Sequence, residues 1–258
     1  GTNAFRVRMT KEAVMDGNDW ALTEPVPNLP LKITYETVDM TEPFYHTEEE
    51  RNKHKQSGTQ ITITNGNLSA VIDPEGVISY YNEKKSLLTK EYWRNRNRID
   101  RFCVPLRIDA RELKPITGTT DYRLVMRFEA FEDEKIFGMG QYQEDFLNKK
   151  GAMLDLAHRN SQASVPFMIS SRGYGFLWNN PAIGTACFAT NKTEWTAEST
   201  KKSIDKLHIR FICKFLCNIY CCAPNKNTHH RDMKFLYQHL GHRMVHLQIV
   251  EEFEGNNH

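Results

Sequence analysis

Apolar and polar side chains alternate most clearly in DYRLVMRFEAF, residues 121–131. Tyr122, Leu124, Met126, Phe128 and Ala130 fall on one side of an extended chain, and Arg123, Val125, Arg127 and Glu129 on the other. A period of two predicts a strand in a sheet with one wet face. QITITNGNLSAVIDPEGVISYYN, residues 60–82, predicts three short strands. Asn65-Gly66 suits a tight hairpin turn with positive φ, and Asp73-Pro74-Glu75-Gly76 suits a second turn. VPFMIS (165–170) and YGFLWNN (174–180) are apolar on both faces, which predicts strands held between two layers. CVPLRIDA (103–110), TACFAT (185–190) and TEWTAEST (193–200) are further strand candidates.

Short strands at intervals of roughly ten residues, separated by Gly, Pro, Asn and Asp, predict an all-β fold, a β-sandwich over residues 1–205. Helical periodicity is scarce in this part. The charged break HTEEERNKHKQSG, residues 46–58, reads as an exposed linker or loop. Trp178 reads as core, since buried tryptophans fill sandwich interiors. The glycines of IFGMGQ, residues 136–141, mark a strand that bends at a corner.

Composition changes the picture after residue 205. Of 258 residues, 40% are hydrophobic and 26% charged, as in globular chains, and the net charge is +2. That charge is too small to argue for nucleic acid or an anionic surface, and there is no phosphate-cradling Gly-rich loop. Residues 206–258 hold four of the six cysteines and seven of the ten histidines, with a net charge of +3. A shift this sharp marks a second region, irregular or partly helical by its pattern. Cys213, Cys217 and Cys221 would share one helix face, with His229 and His230 following. The spacing departs from zinc-ribbon forms, so the thiols are read as free and no metal is expected. No cofactor is expected either. The longest apolar run, LHIRFICKFLCNIYCCA, is broken by Arg210 and Lys214, so no membrane span is expected. No signal peptide is visible, and a cytoplasmic location is the expectation. The chain opens GTNAFRVRMT without an initiator Met, so a start further upstream is expected.

One polar run stands out. Arg159, Asn160, Ser161 and Gln162 come directly before the apolar VPFMIS. The plain reading is a solvated loop. The functional reading is a binding loop held at the edge of a rigid sandwich. Arginine, amide and hydroxyl groups offer the donors and acceptors that neutral polyols need. Asp155 and His158 lack a nucleophile motif beside them and are read as structural.

The segment FGMGQYQEDFLNKKGAMLDLAHRNSQASVPFMISSRGYGFLWNNPAIGTACFATNKTEWTAESTKKSID resembles the N-terminal β-sandwich of glycoside hydrolase family 31, of α-xylosidase and α-glucosidase type. DWALTEP, NGNLSAVIDPEGVISYYN, EYWRNR and CVPLRIDARELKPI fit the same domain, so the resemblance covers about residues 3–205. It implies a galactose-mutarotase-like sandwich that precedes a catalytic (β/α)8 barrel. It also implies retaining hydrolysis of α-linked xylosides or glucosides by two Asp residues of that barrel. The run Arg159 to Gln162 would then be the loop that reaches the barrel mouth and shapes the sugar subsite.

The chain departs from the family pattern after Asp205. Neither a W-x-D nor a D-M-N-E segment is present, and 53 residues cannot form a barrel of about 250. No catalytic residue is assigned, and the chain alone is expected to be inactive. The change in text at Lys206 is the pattern that a frameshift, a retained intron or a misassembled gene model leaves. Translating the surrounding DNA in all frames checks this. The other reading is a free-standing carbohydrate-binding sandwich without catalysis.

Overall fold

The computed structural model of the chain describes residues 3–8, 31–40, 47–92, 110–200, 209–213 and 245–248. The described residues form sixteen strands and one short helix. In chain order the elements are β1 (Ala4–Arg8), β2 (Lys32–Asp39), α1 (Glu48–Lys53), β3 (Ser57–Asn65), β4 (Leu68–Ile72), β5 (Ile78–Tyr81) and β6 (Leu87–Lys90). They continue as β7 (Arg111–Pro115), β8 (Tyr122–Glu129), β9 (Ile136–Gln141), β10 (Met153–Leu156), β11 (Ala163–Ser170), β12 (Tyr174–Trp178), β13 (Gly184–Phe188), β14 (Lys192–Thr200), β15 (Ile209–Cys213) and β16 (Val245–Gln248).

Three sheets result. The first has the order β16-β1-β15-β12-β11-β9, the second β10-β13-β14-β8-β7, and the third β2-β3-β4-β5-β6. All pairs are antiparallel except β1 with β16. Phe176 on β12 meets Phe128 on β8 edge-on, with ring centroids 5.2 Å apart, and Trp195 on β14 at 4.8 Å. Phe5 on β1 lies 6.3 Å from Tyr80 on β5. The first sheet therefore packs against both others, in the all-β sandwich that the alternating pattern predicts. Among the described residues one isolated bridge, Glu91 to Phe128, links the second and third sheets.

Strand β8 shows how the pattern becomes structure. Leu124, Met126 and Phe128 are buried while Arg123 is exposed. Val125 is buried as well, although alternation puts it on the wet face. It lies between Glu112 of β7 and Thr196 of β14, the residues paired with it on the two flanking strands. The three strands expected in residues 60–82 are β3, β4 and β5. The first turn closes at Gly66, with φ of 61°, and the second at Gly76, where Asp73 Oδ1 accepts from the Glu75 and Val77 N–H groups. Trp178 is fully buried and stacks on Trp195 at 6.1 Å.

Two local expectations need correction. The charged break at 46–58 is not all loop: it carries α1, capped by Thr47, whose side chain accepts from Glu50 N–H while Glu50 reaches back to the Thr47 N–H. The helix buries no residue, so no apolar period announces it; the cap and the acidic first turn hold it. The described parts of the region after 205 are strands rather than helix. Ile209–Cys213 runs antiparallel between β1 and β12, and Val245–Gln248 lies parallel to β1. Pairing with two open neighbours satisfies backbone groups that helical spacing alone does not decide. Cys217, Cys221, His229 and His230 lie outside the described residues, as do DWALTEP and residues 103–109 of CVPLRIDA.

Candidate functional site

The polar run sits where the chain passes from one layer to the other. β10 is an edge strand of the second sheet, and β11 belongs to the first. The connection closes as a tight turn. Arg159 N–H donates to the Gln162 carbonyl at 3.3 Å, and Gln162 N–H donates back to the Arg159 carbonyl at 3.0 Å. Asn160 and Ser161 form the tip, with Ser161 at φ 64°. A serine tolerates this left-handed backbone poorly, and the two flanking hydrogen bonds hold it there.

The four side chains divide in two pairs. Arg159 Nη2 lies 2.8 Å from Asp155 Oδ2, in a pair whose side chains are 63% and 45% exposed. Gln162 is half-buried, and its Nε2 donates to the Ala157 carbonyl at 3.2 Å. Asn160 and Ser161 are exposed. Asp155 balances the Arg159 charge, so the tip offers an amide and a hydroxyl that both donate and accept. His158 is exposed, and Asp155 pairs with Arg159.

The base of the turn is fixed from outside it. Tyr142 follows β9, and its hydroxyl donates to the Asp155 carbonyl at 2.9 Å and pairs with the Ser164 hydroxyl at 2.9 Å. One phenol thus ties β10 to β11. Burial pushes its pKa above the ordinary value, and the nearby Asp155 and Glu144 charges add to this against the opposing Ser164 bond. The hydroxyl stays a protonated donor at neutral pH. Sequence reading missed Tyr142, because nothing in the local text QYQ signals a contact with residues 13 and 22 positions away.

A strained strand backs the same region. Gly138, Met139 and Gly140 all have positive φ, at 91°, 72° and 92°. A Cβ on Gly140 would run into the Ala163 carbonyl oxygen and lie 2.7 Å from the Val165 nitrogen. The pairing of β9 with β11 shifts between Ser164 and Met168, so Val165, Pro166 and Phe167 stand in a bulge opposite Met139. Pro166 donates no ladder bond and fits that bulge. The corner expected from IFGMGQ is this one, and it breaks the register of β9 with β11 directly after Ala163 and Ser164, the two paired residues that lead in from the turn.

Among the described residues no group of three or more His, Cys, Asp or Glu side chains is placed to hold a metal ion. No helix among them is long and apolar enough to cross a membrane.

Comparison with known proteins supplies the family. Residues 1–185 match the family model described as the glycosyl hydrolase 31 N-terminal galactose mutarotase-like domain. An uncharacterized family 31 glucosidase from Pseudescherichia vulneris is 48% identical over 151 residues, covering 55% of this chain and 28% of that protein. Alpha-xylosidase A of Aspergillus niger is 44% identical over 73 residues, or 28% of this chain and 10% of that protein. Among solved structures, a family 31 alpha-xylosidase from a soil metagenome, complexed with xylose, superposes with a TM-score of 0.64 and 40% identity. That match covers 83% of this chain and 29% of the other. The chain therefore spans less than a third of the length of these relatives.

Proposed function

The chain belongs to glycosyl hydrolase family 31, as its N-terminal galactose mutarotase-like domain, and on that premise we propose that it serves an α-xyloside- or α-glucoside-cleaving enzyme by supplying one wall of the sugar subsite. Arg159, Asn160, Ser161 and Gln162 are that wall. The observation that carries this reading is the turn itself. It exposes a neutral amide and hydroxyl at its tip while Tyr142, Gln162 and the buried β11 fix its base. Preorganised polar groups lose little on binding, which is what a subsite wall requires. The relatives named xylosidase and glucosidase, and the metagenomic neighbour holding xylose, support the substrate class.

Retaining hydrolysis needs two carboxyl groups about 5–5.5 Å apart across the glycosidic bond. Asp155 beside the turn is paired to Arg159, and residues 157–164 of the turn itself contain no carboxylate. The chain alone is therefore proposed to be without turnover, its partner being a catalytic barrel. Incubation of the purified chain with an aryl α-xyloside and an aryl α-glucoside tests this. No release of the aryl group is expected, and release that is lost on substituting residues of this chain overturns the reading. The second reading, a free-standing carbohydrate-binding sandwich, draws on the exposure of Asn160 and Ser161. It requires tight, saturable sugar binding in calorimetry, in place of the weak binding of half a site.

A further inference from the structure

Strand β2 is an edge strand of the third sheet, and among the described residues β3 is its one strand neighbour. The two pair over eight consecutive positions with no register shift. Seven of the eight residues, KITYETVD, are exposed and Val38 is half-buried. Edges of this length usually carry a proline or a bulge that blocks further pairing, and β2 has neither. Instead it presents Tyr35, 69% exposed, and Ile33, 45% exposed, on one face.

The text of the strand is compatible with itself. When an edge strand pairs antiparallel with its own copy, facing residues must both point their N–H and C=O groups outward. Those groups alternate along the strand, so the numbers of facing residues add to an even sum. Two registers keep most of the strand. Centring on Glu36 sets two carboxylates directly opposite, which is destabilising. Centring on Tyr35 sets the two tyrosines opposite each other and Ile33 opposite Thr37. Lys32 then faces Val38 and lies diagonally across from Glu36 of the second copy, at about 7–8 Å, and the symmetry repeats that contact. Aromatic pairing on one face and opposite charges on the other both favour this register.

We infer that β2 is a homodimerisation edge, joining the third sheets of two copies into one continuous sheet about a two-fold axis through Tyr35. An unrelated strand would have no need of a self-complementary order of residues. The surface lies on a different sheet from the Arg159–Gln162 turn, so it stands or falls apart from the sugar-site reading.

Because Tyr35 faces itself, charge at that position tests both the edge and the register. Sedimentation velocity of the full chain is expected to show a dimer. Tyr35→Lys and Tyr35→Glu, each checked for native circular dichroism, are expected to weaken the dimer roughly a hundredfold, since each sets like charges together. An equimolar mixture of the two variants is expected to regain it. The inference is overturned by a monomeric wild type, by a dimer that survives either single substitution, or by a mixture that stays monomeric. Association into larger species that neither variant changes overturns it as well.

Discussion

Two ion pairs in this chain have the same chemistry and similar lengths. Arg111 Nη2 lies 2.6 Å from Glu91 Oε2, with side chains 3% and 0% exposed, whereas Arg159 Nη2 lies 2.8 Å from Asp155 Oδ2 near the surface. The buried pair is fully furnished. Arg111 Nε donates to Glu91 Oε1 at 2.9 Å, Ile78 N–H donates to Glu91 Oε2 at 2.9 Å, and Arg111 Nη2 donates to the Gly76 carbonyl at 2.9 Å. It closes the junction between the second and third sheets, beside the Glu91–Phe128 bridge. The exposed pair closes nothing in the core. It trims the charge of a turn whose tip faces water. Burial, rather than distance, decides that one pair holds the fold and the other tunes a surface.

The sharpest way to break that contrast is to remove one partner from each pair. Glu91→Gln or Arg111→Met is expected to cost about 3–5 kcal/mol in urea unfolding, because a buried charge loses its partner. The double replacement Glu91→Leu with Arg111→Met is expected to cost less than either single change, since the unpaired charge disappears with its mate. A double variant as unstable as the sum of the singles would mean that the pair matters for its packing alone.

The strained corner that sets the turn comes next. Gly140→Ala is expected to lose about 1–3 kcal/mol, as an L side chain at φ 92° must also push against the Ala163 carbonyl. The proposed sugar contact at the turn is expected to weaken with it, because Ala163 and Val165, which the new Cβ would strike, stand at the start of β11.

A third test lies between the extremes. On the outer face of the second sheet, Arg127 bridges Glu112 and Glu194, each at 2.6 Å. Partial burial raises both carboxyl pKa values. The hydrogen bonds from Arg127, with Lys114 on Glu112 and Lys192 on Glu194, outweigh that and hold both below their ordinary value of 4.5. Lowered carboxyl pKa values give stability that is fully present above that value and lost as pH falls through the lowered ones. Thermal melting is therefore expected to decline below about pH 4.5 in the wild type. Arg127→Met is expected to be less stable at neutral pH, with the gap closing on acidification. A gap constant with pH would contradict the bridge.

The smallest effect belongs to the surface pair. Arg159→Ala is expected to change stability by less than about 1 kcal/mol, as exposed pairs do.

Much of this is legible in the amino-acid sequence. The alternation in β8 and the turns at Gly66 and Gly76 follow from local text, because each rests on neighbours in sequence, and Trp178 is buried as its residue type and apolar surroundings imply. What stayed hidden is tertiary. β15 reads as a helix by cysteine spacing yet pairs between β1 and β12. Tyr142 looks like any aromatic after a strand, and its hydroxyl ties two others together. The helix α1 shows its cap, Thr47 with Glu50, in the sequence, but buries nothing that a periodicity search detects. For the turn, residue types fixed the four candidates, while the division into a tip and an anchored base needed the fold.

Titration of the isotopically labelled chain with methyl α-xyloside, followed by amide chemical shifts, tests the proposed sugar subsite at this turn most directly. The expected result is weak, saturable binding, of the order of millimolar or about −4 kcal/mol. Shifts should centre on Asn160 and Ser161, and Asn160→Ala should abolish them while melting stays within about 0.5 kcal/mol. A saturating titration that leaves residues 159–162 unmoved, or no shifts at all, would contradict the assignment of this turn to a sugar subsite.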